Sequence, residues 1–197
     1  MQDKFKRVYR EFIHRDGADA LLAYLEKSDF FKAPASTRFH GDHEGGLCEH
    51  SVHVFTHLAR LVTAYAAELG LKASWKEIGE KVAIVSLLHD LCKIECYEVQ
   101  MRNRKNDAGM WEQVPFYTFR EKLPMGYHGP KSCRIIERYM RLTDDEWVAI
   151  ATHMGPWDRA SGDYSLSNAY ERPENRLAVL LHMADELATF FDESEGE

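Results

Sequence analysis

The chain has 197 residues, 25 Lys and Arg against 32 Asp and Glu, and a formal net charge of -7. Such a length suits one domain, with or without a short extension, and buries a core without disulfides or a structural zinc. The acidic balance argues against broad binding to a nucleic-acid backbone, which needs dense Lys and Arg, while leaving room for a local basic pocket for one phosphate.

Phe5, Val8, Tyr9, Phe12 and Ile13 fall at helical spacing, and Gly17 breaks the run. Leu21, Leu22, Tyr24 and Leu25 predict a second helix to about Ser28. Pro34, Gly41, Gly45 and Gly46 mark residues 29–46 as a loop. A long amphipathic helix is expected from about Leu47 to Leu69, closed by Gly70. Another runs from Trp75 to about Ile94, with Ser74 as its N-cap. Between 97 and 120 the pattern changes. Tyr97, Val99 and Met101 alternate with polar residues, Asn106-Asp107-Ala108-Gly109 is turn chemistry, and Trp111, Val114, Phe116 and Phe119 follow around Pro115. This reads as a β-hairpin. Helices are then expected near 129–141, 144–154 and 173–191, the second opened by the capping-box string Thr143-Asp144-Asp145-Glu146.

The longest apolar stretch, Val82 to Leu88, is far too short to span a membrane. Cysteines at 48, 92, 96 and 133 match neither a zinc ribbon nor a disulfide framework. With a charged, amphipathic opening that does not read as a signal peptide, they suggest free thiols in a reducing, cytoplasmic compartment.

His89-Asp90 ends the most hydrophobic segment of the chain. Burying both groups is costly without partners, and a metal ion would satisfy them together. Taken alone, the pair is better explained as a capping Asp beside a hydrogen-bonded His. The neighbours shift that balance. His50 opens the long helix behind Gly45-Gly46, and His53 and His57 share its face at i+3 and i+7. His128 and His153 lie close to glycine at helix ends, and Asp185 sits among Leu181, Met183 and Ala184. Four imidazoles and two carboxylates are enough for two metal ions.

The order His50, His89-Asp90, Asp185 resembles the HD-domain superfamily of metal-dependent phosphohydrolases. Gly45-Gly46-Leu47 before His50-Ser51, and Leu87-Leu88-His89-Asp90-Leu91-Cys92-Lys93, look like its first two motifs. His128, His153 and Leu181-His182-Met183-Ala184-Asp185 look like the later ones. A close likeness is to the HD domain of bacterial 3′–5′ exoribonucleases that carry an OB-fold ahead of it. Their His-His-x-Tyr-x-Gly-Gly-Leu string reads His40-Gly41-Asp42-His43-Glu44-Gly45-Gly46-Leu47 here, without the second His and the Tyr. Their later His-His doublet reads His153-Met154, and residues 1–38 look helical.

The resemblance implies a mainly α fold, an HD-domain helical bundle with one inserted β-hairpin. It spans roughly residues 39–191, with 1–38 as a helical extension packed on the domain and 192–197 as a frayed acidic tail. It also implies one ion on His50, His89, Asp90 and Asp185, and a second on His128 and His153 with Asp90 bridging. Imidazole and carboxylate ligands suit Mn, Fe, Ni, Co or Zn, with Mg also admitted.

On this reading Asp90 and Lys93 are the catalytic pair, Lys93 facing the same helix side as His89 and binding the substrate phosphate. Lys131 and Arg38 are weaker phosphate candidates, more readily read as ordinary surface charges. The hairpin is placed to wall the pocket, where Trp111, Phe116, Tyr117 or Trp157 could stack on a base or simply pack. The expected substrate is a small phosphorylated molecule such as a nucleotide, cleaved by a metal-activated water. A di-iron oxygenase of the same superfamily and a noncatalytic nucleotide-binding module are the competing readings.

Overall fold

Phe5, Val8 and Tyr9, spaced i, i+3 and i+4, form the buried side of α1 (Gln2–Phe12). α2 (Ala18–Lys27) buries Leu21, Leu22 and Leu25. In this computed structural model the described residues are 1–38, 41–65, 75–120, 128–155, 170 and 172–193. Gly70, Ser74 and Trp157, assigned above to a helix end, an N-cap and a stacking ring, lie outside them.

The remaining elements are α3 (Gly46–Ala64), α4 (Trp75–Leu88), β1 (Tyr97–Lys105), β2 (Trp111–Phe119), α5 (His128–Ile136), α6 (Asp144–Thr152) and α7 (Arg176–Leu187). The expected mainly helical fold with one hairpin is what forms. Strands β1 and β2 pair antiparallel, with Tyr97 opposite Phe119 and Lys105 opposite Trp111. The Asn106 side chain closes the turn by accepting from the backbone N–H of Ala108 and Met110. Pro115 sits within β2 opposite Met101, on a two-stranded sheet whose outer edges carry no further strand among the described residues.

Four helices close a ring. α3 touches α4 and α7, and α6 touches α4 and α7. Leu58 of α3, Ile84 and Leu88 of α4, Ile150 of α6 and Leu181 of α7 are fully buried in one cluster. Each such side chain contributes about 1.5–3 kcal/mol on leaving water. α1 packs on α3 and α4, so Phe5 and Tyr9 join the same core.

Arg15 ties this N-terminal segment down. Its guanidinium meets both oxygens of the fully buried Glu146 at 2.7 and 2.9 Å and Glu80 of α4 at 3.2 Å. Glu146 also accepts from the Thr143 backbone N–H at 2.8 Å, the return half of the capping box.

Two of the close approaches that require glycine lie beside residues of the polar cluster described below. A Cβ on Gly46, at the start of α3, would lie 2.1 Å from the Gly41 carbonyl oxygen. A Cβ on Gly129, next to His128, would lie 2.4 Å from the Ile150 oxygen and 2.5 Å from that of Ala151. Gly129 thus lets α5 press against the last turn of α6, which brings His128 toward His153.

Candidate metal centre

Each helix of the ring presents polar residues at the same end. His50 comes from the first turns of α3, and Asp185 from the last turn of α7. His153 is the C-cap of α6, and His89-Asp90 directly follows α4. His128 is added by the first residue of α5. Helix α4 stops at Leu88, sooner than the apolar run predicts, and a 3-10 turn covers Leu91–Lys93. In such a turn residues i and i+3 eclipse. The Lys93 ammonium therefore meets Asp90 Oδ2 at 2.6 Å, rather than lying along a continuing helix beside His89.

Asp90 is the centre. Its Oδ2 lies 3.8 Å from His50 Nε2 and 3.6 Å from His89 Nε2. Its Oδ1 lies 2.7 Å from His128 Nε2 and 3.5 Å from His153 Nε2. Asp185 Oδ1 completes the first group, 3.0 Å from His50 Nε2 and 3.9 Å from His89 Nε2. Sets such as His50, His89, Asp90 and Asp90, His128, His153 each bring three ligand atoms within 4.8 Å of one another.

The far side of each ring is also anchored. His89 Nδ1 donates to the Ser86 carbonyl at 2.8 Å, and His153 Nδ1 donates to the Ile150 carbonyl at 2.7 Å. Both carbonyls lie three residues back, at the ends of α4 and α6, where helix carbonyls have no helical partner. With Nδ1 donating, Nε2 of each ring carries the lone pair a metal needs. His153 Nε2 is buried with no hydrogen-bond partner among the described residues. Leaving such an atom unsatisfied costs roughly 1–3 kcal/mol. A cation bound there would satisfy it, so these residues fit a metal.

Charge in the cluster is strongly displaced. Burial alone would raise the Asp90 pKa, but Lys93, His89 and His128 outweigh it and hold the carboxyl well below its usual range. Asp185 is likewise lowered, its burial overcome by His50, His89 and His153. Burial opposes a charge on His50, yet Asp185 and Glu193 push its pKa up to about 10. His89 goes the other way, to about 4, because burial dominates its attraction to Asp90. Two firmly anionic carboxylates among imidazoles form a site that favours a cation.

A cavity of about 540 Å³ opens onto Asp90, His50, His128, Asp185 and Lys93.

An HD domain model matches residues 47–189. The chain belongs to the HD-domain family. Comparisons with curated proteins and with solved structures returned no match. HD domains bind divalent metals and belong to a superfamily of metal-dependent hydrolases, and the His and Asp cluster of this one could hold such an ion. No helix among the described residues is long and apolar enough to cross a membrane.

All six predicted ligand residues of this HD domain converge, and Lys93 joins them. Two weaker candidates do not. Lys131 is no surface charge: it is 3% exposed, with its ammonium 3.3 Å from Cys96 Sγ, and it does not line the cavity. Arg38 is exposed and also outside the cavity lining. The hairpin contributes Tyr97 and Phe119 at its base to the cavity wall, while Trp111 stands 70% exposed far along the strand pair. Phe116 and Tyr117 line a separate hollow of about 220 Å³.

Glu193 was missed. The expected acidic tail does not begin where it was read, because α7 continues into a π-helical turn, Ala188–Asp192, that folds back on α3. Glu193 meets His50 Nδ1 at 3.1 Å, and Asp192 meets His57 at 2.7 Å. Residues 194–197 lie outside the described residues. The stripe His50, His53, His57 was the available signal, since a histidine face with no assigned acceptor calls for one.

Proposed function

We propose that this HD domain is a metal-dependent phosphohydrolase acting on a nucleotide or a related small phosphate ester. The observation that supports it most is the division of Asp90, one oxygen toward His50 and His89 and the other toward His128 and His153. Such a carboxylate suits a bridge between two ions. One ion would rest on His50, His89, Asp90 and Asp185, and the other on Asp90, His128 and His153. Divalent ions held there supply an activated water and draw charge from the phosphoryl oxygens.

The chain's own groups do the rest. Lys93 keeps a charged ammonium at the cavity wall, because Asp90 overcomes the burial that would discharge it. That ammonium is the donor for a substrate phosphate oxygen. The cavity, at about 540 Å³, is in the range that encloses a nucleotide-sized ligand. Tyr97 and Phe119 give the non-phosphate part an aromatic wall. Four buried free cysteines support a reducing, cytoplasmic setting.

The test is a screen of the purified protein with Mn, Ni or Mg against nucleotides, cyclic nucleotides and short oligonucleotides, following release of phosphate or nucleoside. Hydrolysis that disappears in Asp90→Ala supports the proposal. No release with any metal, alongside bound iron and oxygen consumption, replaces it with the oxygenase. Ligand binding with neither reaction replaces it with a noncatalytic module.

A further inference from the structure

We infer that Glu193 is the positioning residue for His50, and that the turn after α7 exists to carry it back onto α3. The inference rests on the metal reading of the cluster.

His50, His89 and His153 each need an acceptor for Nδ1 if Nε2 is to point inward with a lone pair. His89 and His153 find theirs locally, in carbonyls three residues back at helix ends. His50 cannot do the same, because it lies inside α3, where preceding carbonyls serve the helix itself. Its acceptor must come from elsewhere. Both carboxylate oxygens of Glu193 lie 3.1 Å from His50 Nδ1. The contact spans 143 residues of sequence.

Three further observations show a built contact. The Glu193 side chain is 4% exposed. Its Oε1 also accepts from His53 Nδ1 at 3.1 Å, so the carboxylate straddles two histidines one turn apart. Asp192 meets His57 one turn further along α3. The wide π turn at Ala188–Asp192 redirects the chain from the end of α7, which carries Asp185, back onto α3, which carries His50. Turns of this kind concentrate at functional sites. The same short segment therefore supplies a metal-facing carboxylate to one side of the His50 ring and an orienting carboxylate to the other.

The experiment titrates Mn(II) into wild type, Glu193→Ala, Glu193→Gln and Asp192→Asn by competition with a chelator, and records thermal midpoints in EDTA. Glu193→Ala is expected to weaken binding of the tighter ion about 10- to 100-fold. Glu193→Gln, which keeps a neutral acceptor for Nδ1, is expected to recover part of that loss. Asp192→Asn, which touches His57 alone among these histidines, should bind as wild type. Glu193→Gln carries the test if Glu193→Ala does not fold. Affinities of both Glu193 variants within twofold of wild type would overturn the inference while leaving the metal centre standing. So would a loss matched by Asp192→Asn, which would mark a general role in holding the segment. A wild type that binds no Mn(II), Ni(II), Fe(II) or Zn(II) sinks the inference and the metal reading together.

Discussion

The two faces of Asp90 differ in how completely the protein furnishes them. Around Oδ2 stand two fully enclosed imidazoles, His50 and His89, a second carboxylate from Asp185, and the Lys93 ammonium. Around Oδ1 stand His128, whose side chain is 30% exposed, His153, whose Nε2 has no hydrogen-bond partner among the described residues, and the Cys92 thiol at 3.9 Å. The first face offers four ligand residues including two carboxylates; the second offers three and shares its carboxylate. More ligands and more negative charge hold a divalent ion more tightly, so the two ions are expected to bind with unequal affinity.

Substitutions on the two faces test that inequality. His50→Ala or Asp185→Ala should remove the tighter ion and cost ~10³-fold or more in hydrolysis, equivalent to ~4 kcal/mol of transition-state stabilisation. His128→Ala should keep one tightly bound ion, lose the weaker one and cost about 10- to 100-fold. Metal counted per chain by mass spectrometry checks both. If His128→Ala holds as much metal as wild type, the second-ion assignment is wrong; if it is the more damaging change, the inequality runs the other way. Lys93→Ala should leave the ion count alone and lower kcat/KM by about 10-fold, chiefly through KM, because a lost phosphate contact weakens substrate binding. A change in ion count instead would make Lys93 a partner of Asp90 only.

Smaller effects are structural. Gly129→Ala forces a Cβ against the carbonyls of Ile150 and Ala151, and should cost about 1–3 kcal/mol of stability in thermal unfolding, with the Oδ1 face losing its ion first. Acid sets the floor for all these assays. Burial would raise the Glu80 pKa, but the His14 and Arg15 backbone N–H groups and the Arg15 side chain lower it below 4.5. A carboxylate lowered on folding stabilises above its unfolded pKa, and that stability is lost as pH falls through the folded value. Glu80→Gln should therefore flatten the fall in thermal midpoint below about pH 4.5, by less than ~1 kcal/mol for this partly exposed group.

How much of this was legible in the sequence depended on whether the deciding contact was local. Phe5, Val8 and Tyr9 gave α1 by spacing alone, and Thr143 with Glu146 gave the start of α6. Asn106 through Gly109 marked the hairpin turn. The six clustered residues were legible as an ordered set, since His89-Asp90 alone carried little weight. The length of α4 was not: Val82 to Leu88 continues smoothly into Leu91 and Ile94, and only the polar cluster shows why the helix breaks at His89. Lys131 reads as a surface lysine until its burial beside Cys96 is seen. Glu193 reads as one acid in a solvated tail, because nothing near it in sequence points to α3.

The most direct measurement is electron paramagnetic resonance of the protein loaded with Mn(II), comparing wild type, Asp90→Asn and His128→Ala. A carboxylate shared between two ions predicts a spin-coupled pair in wild type, no coupled pair in Asp90→Asn and a single isolated ion in His128→Ala. Two uncoupled ions in wild type, or a coupled pair that survives in Asp90→Asn, would contradict the placement of Asp90 at the centre of the site.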